Sequence, residues 1–72
     1  MSRLAVFQSR SEALDLVSRL RRAGISATAV NTPRRLGKSC GLSVVFDIAV
    51  ESKVRRLIGE LRYHSLQGYY DR

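Results

Sequence analysis

Apolar residues along this chain follow two patterns: short continuous runs typical of strands, and stripes at three- and four-residue spacing typical of helices. The first run covers residues 4–7, and the hydroxyl residues Ser9 and Ser11 behind it are suited to capping a helix. A stripe follows over residues 12–23, with acidic residues near its start and arginines near its end, as the helix dipole favours. Gly24 then supplies a left-handed stop, so this part predicts a strand and a helix.

The middle of the chain predicts two strands joined by a basic loop. Residues 25–30 are rich in β-branched side chains and end at an Asn-Thr-Pro turn signal. Residues 42–46 form the next apolar run. We therefore expect the second and third strands here.

The last third predicts a helix and a short strand. Asp47 is suited to cap the helix, and residues 67–70 form the strand. Gly59 lies inside the helix and costs about 1 kcal/mol relative to alanine, so this helix relies on packing. Its apolar stripe consists of Val50, Val54, Leu57, Ile58 and Leu61.

The resulting order is strand, helix, strand, strand, helix, strand. In a chain of 72 residues this predicts one domain, residues 1–72, of the α+β class. The expected arrangement is the ferredoxin-like split βαβ fold, with a four-stranded antiparallel sheet in the order 4-1-3-2 and both helices on one face.

This topology brings the loop between the second and third strands to one edge of the sheet. The end of the first strand, the start of the first helix and the end of the second helix share that edge. Free N–H groups at the helix start lie there too. The residues expected at the edge are Gln8, Ser9, Arg10, Ser11, Cys40, His64 and Ser65.

The net charge and the single cysteine limit which partners and which cellular compartment we expect for this protein. Thirteen basic residues against 6 acidic ones give a net charge of +7, which attracts nucleic acid, small anions or an acidic protein. Most of the basic residues are arginine, a bias that genome composition also produces. A single cysteine excludes an intrachain disulfide, and residues 4–7 are too few for a signal-peptide core or a membrane span. We expect a cytoplasmic protein with no membrane association.

Cys40 is the most informative residue, because it ends a basic, glycine-punctuated loop. A cation about 6 Å from a thiol contributes roughly 0.7 kcal/mol in water and about 3 at an effective dielectric of 20. Arg34, Arg35 or Lys38 would thus lower the thiol pKa by about half a unit to two units, which favours the reactive thiolate. The alternative is a small buried hydrophobe that opens the third strand.

The segment TPRRLGKSCGLSV resembles the Se/S carrier protein-like family of small bacterial domains, in which a proline-basic loop leads to Ser-Cys-Gly and an apolar strand. The resemblance extends to the early strand, to the helix that ends at Ala23 and Gly24, and to the helix after Asp47. It implies that Cys40 holds sulfur or selenium as a persulfide or selenopersulfide between donor and acceptor proteins. It also implies a carrier without a cofactor rather than an enzyme.

The surroundings of Cys40 follow from its neighbours in sequence. We expect its binding site to comprise Arg34, Arg35, Lys38, Ser39 and Gly41, with the glycine leaving room for a partner's sulfur. His64 is a candidate general base or thiolate partner if the fold places it at the shared edge, and Arg10 is a candidate cation there. The alternative for both is a solvated residue near a helix end.

Other chemistries are excluded by what the chain lacks. It has no Cys-x-x-Cys pair, one cysteine and one histidine cannot fill a zinc site, and no glycine-rich phosphate motif follows a strand. The second hypothesis is a basic nucleic-acid-binding or protein-docking module in which Cys40 is structural. RNA binding is the weaker option, because residues 42–46 lack the basic-Gly-aromatic pattern that stacks bases. An apolar second sheet face would permit a homodimer.

Overall fold

The computed structural model describes residues 1–36 and 41–72. The predicted site residues Lys38, Ser39 and Cys40, and the neighbouring Gly37, lie outside the described residues. The elements, in chain order, are β1 (Ser2–Phe7), α1 (Arg10–Arg22), β2 (Thr28–Asn31), a 3₁₀ turn (Arg34–Leu36), β3 (Leu42–Asp47), a 3₁₀ turn (Ile48–Val50), α2 (Glu51–Leu61) and β4 (Leu66–Asp71).

The sheet has the predicted topology. Its four strands lie in the order β2-β3-β1-β4, and every neighbouring pair is antiparallel. The register sets Phe7 opposite Leu42 at one end of the sheet and Arg3 opposite Asp71 at the other. The ferredoxin-like α+β prediction is therefore confirmed, including the strand order.

Both helices pack on the same face of the sheet. Alternate strand residues point to that face, because successive side chains of a strand point to opposite sides. The strands contribute Ala5, Phe7, Leu42, Val44 and Phe46, and the helices contribute Ala13, Leu16, Val17, Leu20, Val54 and Ile58.

The α1 helix ends as its sequence predicts, but β2 begins three residues later than expected. Gly24 has φ of +79°, and the N–H groups of Gly24 and Ile25 donate to the carbonyls of Arg21 and Leu20 at 3.0 and 2.9 Å. This is the Schellman arrangement, which uses Ile25 to close the helix instead of starting the strand. The predicted strand over residues 25–30 was therefore wrong at its start, and β2 is Thr28–Asn31.

The start of the second helix also differs in detail. Asp47 accepts a hydrogen bond from the backbone N–H of Ala49 at 2.8 Å, so it caps as predicted. The turn that it caps is the 3₁₀ turn Ile48–Val50, and the α-helix begins afterwards at Glu51. The apolar stripe persists through this change, because Val50 and Val54 both pack against the main core.

A second small core lies on the sheet face away from the helices. Leu4 and Val6 are 0% exposed there, although α1 and α2 both lie on the other face. They pack with Val45 beneath Val30, Leu36 and Tyr70. This face is apolar, as expected, and residues of the same chain pack over part of it. Homodimer formation stays a prediction.

Residues 32–36, which we call the strap, contribute Leu36 to this cover. Its first residue, Thr32, shares a hydrogen bond of 2.9 Å with the hydroxyl of Ser43, a fully buried residue of β3. The N–H of Leu36 donates to the carbonyl of Pro33 at 3.1 Å and closes the 3₁₀ turn. The strap thus leaves β2 and folds over the outer face of the sheet.

Glycine substitutions test how the strands and helices constrain the backbone. Gly41 has φ of +109°, and an added Cβ would lie 2.2 Å from the carbonyl oxygen of Phe7. We expect Gly41→Ala to lower the free energy of unfolding by about 3 kcal/mol, from backbone strain and displacement of β1. Urea titration measures this change.

Two further variants serve as controls for that measurement. Gly24→Ala has the positive φ but meets no atom within 4 Å, so it should cost about 1–2 kcal/mol. Gly59→Ala meets nothing within 4 Å in a helical backbone and should stabilise the protein by about 1 kcal/mol. A Gly41→Ala protein as stable as wild type would contradict the close packing of Gly41 on β1.

Candidate functional site

The described members of the predicted shared edge do come together. Gly41 begins the chain into β3 directly beside Phe7 and Gln8, at the end of β1. The N–H of Gln8 donates to the carbonyl of Ser65 at 3.0 Å, which joins this end of β1 to the connection between α2 and β4. The edge therefore unites β1, α1, β3 and the start of β4, as the topology predicts.

Gly41 is held against β1 so closely that no side chain fits. Besides the contact with the Phe7 carbonyl, its hypothetical Cβ would lie 2.9 Å from the Gln8 carbonyl oxygen. The positive φ and this contact both require glycine. The residue that follows Cys40 in sequence is thereby fixed at the end of β1, where Gln8 lies two positions before α1 begins.

The first turn of α1 is capped by a relay of hydroxyl groups. The Ser9 hydroxyl accepts from the N–H of Glu12 at 3.2 Å, as in a capping box. In a simple capping box the Glu12 carboxylate would also accept directly from the Ser9 N–H. Here the Ser65 hydroxyl lies between these two groups. The Ser9 N–H donates to the Ser65 hydroxyl at 3.0 Å, and that hydroxyl donates to Glu12 Oε1 at 2.7 Å. Ser65 thus stands between the two members of the box.

Glu12 is the centre of this edge. Besides the Ser65 hydroxyl, its carboxylate accepts from the backbone N–H groups of His64 at 3.1 Å and Ser65 at 2.9 Å. These bonds favour the charged form, the Ser65 hydroxyl most, and they outweigh partial desolvation. They hold the pKa of Glu12 below its ordinary value. The carboxylate fastens the start of α1 to the start of β4.

A neighbouring cluster fastens the same two segments one turn further along α1. The Tyr63 hydroxyl donates to Asp15 Oδ2 at 2.5 Å, and Arg19 Nε donates to the same oxygen at 2.8 Å. The Tyr63 ring also packs edge-on against Phe7, with centroids 5.4 Å apart. The Tyr63 and Arg19 bonds lower the pKa of Asp15, and burial raises that of Tyr63. The arrangement is a structural brace.

Sequence reasoning placed Ser65 at the edge but missed Glu12. The signal was present, because Ser9 and Glu12 have the Ser-x-x-Glu spacing of a capping box. That spacing indicates the local cap only. The bonds to His64 and Ser65 join residues more than fifty positions apart, so only the folded chain reveals them.

The other predicted site residues occupy different places. Arg10 is the exposed first residue of α1, and its position at the edge is as predicted. His64 is exposed, and its backbone N–H, through Glu12, links it to the edge. Arg34 is exposed in the 3₁₀ turn of the strap. Arg35 donates to the carbonyls of Asp71 at 2.8 Å and Arg72 at 3.3 Å, at the opposite end of the sheet.

Within residues 1–36 and 41–72, no three His, Cys, Asp or Glu side chains are grouped as metal ligands. Over the same residues, no helix is long and apolar enough to cross a bilayer. The carboxylates at this edge are used in hydrogen bonds within the chain.

The fold and this edge define a small α+β domain whose lone cysteine precedes a glycine packed at a strand-to-helix junction. A family model described as "Putative Se/S carrier protein-like" matches residues 2–69, nearly the whole chain. The chain belongs to this family, and the resemblance seen in its sequence is confirmed. Searches of curated proteins and of solved structures find no match.

The Glu12 contacts predict a pH dependence of stability. The folded pKa of Glu12 lies below its ordinary value, so its contribution to stability is complete above the ordinary pKa and is lost as the pH falls through the folded pKa. At neutral pH, we expect Glu12→Gln to lower the free energy of unfolding by about 1–2 kcal/mol, since charged acceptors form the stronger hydrogen bonds. Urea unfolding at several pH values should show a weaker loss of stability in acid for this variant.

Glu60→Gln is the matched control. Glu60 is exposed on α2 and has no hydrogen bond to any described residue. Its replacement should leave both the neutral stability and the acid profile close to wild type. Equal acid profiles for the Glu12 variant and wild type would show that the edge network does not favour the carboxylate.

Proposed function

We propose that this protein is a sulfur or selenium carrier that holds its cargo on Cys40 as a persulfide or selenopersulfide. The position of Gly41 carries the proposal, because the described chain resumes from Cys40 at an edge formed by a helix start. Membership of the Se/S carrier protein-like family supports it. In this proposal residues 1–72 act as one domain, and donor and acceptor proteins exchange cargo with it.

The transfer step requires of this protein only that the Cys40 thiol be deprotonated, and a donor protein supplies the persulfide. The Cys40 thiolate attacks the outer sulfur of a donor persulfide, a new S–S bond forms, and the donor's S–S bond breaks. The donor leaves as a thiolate, and Cys40 becomes the persulfide, with no net oxidation. An acceptor thiolate repeats the exchange and returns Cys40 to its thiolate form. A selenopersulfide transfers its outer selenium by the same substitution.

One feature of the described edge favours a thiolate nearby. The partial positive charge of a helix N-terminus lowers the pKa of thiols placed against it. The α1 N-terminus provides such a charge, and the N–H groups of Arg10 and Ser11 have no acceptor within residues 1–36 and 41–72. The Glu12 carboxylate at the same edge is bound by three donors of the chain, which stabilise its charge without removing it.

The partners and setting follow from this chemistry. Sulfur-donor and acceptor proteins must reach Cys40, and Gly41 contributes no side chain to obstruct them. A reducing cytoplasm suits the carrier, since a lone thiol there is not consumed by disulfide formation. Arg34, Lys38 and Ser39 complete the proposed surroundings of the thiol, with Arg10 and His64 at the edge. Self-association to a homodimer is not required for this chemistry.

The nucleic-acid alternative gains no support from the sheet. RNA-recognition sheets stack bases on exposed aromatic rings of their open face. Here Leu4, Val6 and Val45 lie beneath Val30, Leu36 and Tyr70, so Tyr70 packs on the small outer core with neighbouring aliphatic residues. Docking on another protein through the same edge, with a structural Cys40, is the competing proposal.

Loading of Cys40 tests the function directly. Incubation with a small persulfide donor, followed by intact-mass measurement, should show one added sulfur atom that a reducing thiol removes. Cys40→Ser should abolish loading and retain the thermal unfolding midpoint to within a few degrees. Ser52→Ala, which removes an exposed hydroxyl from α2 and keeps the thiol, should load as wild type. An unfolded Cys40→Ser protein would instead favour the structural interpretation of Cys40.

Nucleic-acid binding provides a separate test. Single-stranded RNA should bind weakly and lose most of its affinity as salt rises, because only phosphate contacts are available. Fluorescence anisotropy with mixed-sequence and homopolymer RNAs measures this. Tight, sequence-selective binding near physiological salt would reverse the order of the two proposals.

A further inference from the structure

Arg35 belongs to the segment that leads to Cys40, yet its side chain reaches the far end of the sheet. The strand register places Asp71 opposite Arg3, at the start of β1, whereas Gly41 lies at the end of β1. Arg35 Nη2 donates to the carbonyl oxygens of Asp71 and Arg72 at 2.8 and 3.3 Å. One guanidinium therefore spans from the strap, which follows the edge strand β2, to the other edge strand, β4.

Packing fixes the strap at the same place. Leu36 lies on the small outer core of Leu4, Val6 and Val45. Two of these residues are fully buried beneath Leu36 and its neighbours Val30 and Tyr70, so displacement of Leu36 would remove part of their apolar cover. The Thr32 and Ser43 hydroxyls hold the beginning of the strap. The strap is thus held by a hydrogen bond at its start, by apolar packing at its end and by Arg35 between them.

The two ends of the Cys40 segment are therefore both anchored. Residues 37–40 connect Leu36, packed on the outer core, to Gly41, packed against Phe7 and Gln8. An anchored segment presents its residues to a partner at a smaller entropic cost than a free one. Loosening either anchor would increase that cost without touching the thiol.

We propose that Arg35 is a positioning residue, which clamps the strap to the end of β4 and so sets where the Cys40 segment starts. This role rests on the proposed carrier function and replaces the idea that Arg35 acts on the thiolate through its charge. The guanidinium suits it, because a planar, permanently charged group holds two carbonyl oxygens in a defined direction.

Three variants separate the clamp from the charge. Arg35→Gln removes both, Leu36→Ala loosens the strap and keeps every charge, and Arg34→Gln removes one charge from the adjacent exposed position. Hydrogen exchange of the residue 36 amide reports strap opening, with the Val44 amide of the central strand β3 as the reference for global unfolding. The rate of Cys40 alkylation by iodoacetamide as a function of pH reports the thiolate fraction and the accessibility of the sulfur.

If Arg35 acts as a clamp, Arg35→Gln and Leu36→Ala should both loosen the strap, whereas Arg34→Gln should not. Arg35→Gln should speed exchange at residue 36 about two- to fivefold relative to Val44, the effect of losing an exposed hydrogen bond of a charged group. Leu36→Ala should speed it about tenfold, because it removes apolar packing on the outer core. Both should also move the alkylation profile toward that of the unfolded loop peptide. Arg34→Gln should keep the wild-type exchange rate and alter the profile less than either.

Three results would overturn the clamp. They are an unchanged exchange rate in Arg35→Gln, equal shifts of the alkylation profile in Arg34→Gln and Arg35→Gln with none in Leu36→Ala, and a wild-type profile identical to that of the peptide. Failure of the carrier function is separately visible. If wild type accepts no persulfide while the variants group as predicted, the clamp stands and the function proposed for Cys40 falls.

Discussion

The buried central strand β1 is the constraint on which the rest of the structure depends. Four consecutive residues, Leu4 to Phe7, are 0% exposed, two toward the helices and two toward the outer face. A strand buried on both faces must pair on both sides, because an unpaired backbone group in such a place costs free energy comparable to a lost hydrogen bond. Its partners are β3 and β4, and their registers locate Gly41 and Ser65 at the same end of the sheet.

Burial of β1 on its outer face requires a cover that a two-layer fold lacks. Leu36 of the strap supplies part of this cover. Full burial of a leucine-sized side chain, such as that of Leu4, contributes about 1.5–3 kcal/mol to folding stability. In a small domain, where total stability is only about 5–15 kcal/mol, such a contribution is substantial. The same strap leads directly to Cys40. Stability of the outer core and placement of the proposed carrier residue are therefore coupled through one short segment.

The charges of the protein serve different purposes in different places. Arg3 bridges Glu51 at 3.3 Å and Asp71 at 2.6 Å across the sheet and α2, and the Arg55 guanidinium lies 4.1 Å from the centre of the Tyr69 ring. A pair with an exposed partner, such as Arg3 with Asp71, contributes little, typically under about 1 kcal/mol. Glu12 is different, because its donors include backbone groups of a connection that must be held. The edge of the proposed site is thus organised by the Glu12 carboxylate, whose negative charge is stabilised by donors of the same chain.

Local patterns were enough to predict most of the architecture. Apolar periodicity, the Ser9 cap and the Gly24 stop identified α1, and the order of elements identified the ferredoxin-like sheet and the shared edge. These features depend on neighbours within a few residues, or on a connection rule that applies to all chains. The family motif around Cys40 is likewise contiguous in sequence.

Tertiary structure decided the rest, because it depends on contacts between distant residues. From the sequence, Arg35 was expected to act as a cation beside the thiol. Its acceptors are instead main-chain carbonyls at the far end of β4. A pattern of side chains does not predict which backbone carbonyl a distant arginine will bind. One correction was local instead: residues 25–27 have strand-like composition, yet the Ile25 N–H donates to the Leu20 carbonyl five positions before it and closes α1. Glu12 became the centre of the edge only when β1 and β4 paired and brought Ser65 within reach. Composition and spacing record which groups a chain carries, whereas a hydrogen bond between distant residues exists only after packing has placed its donor and acceptor together.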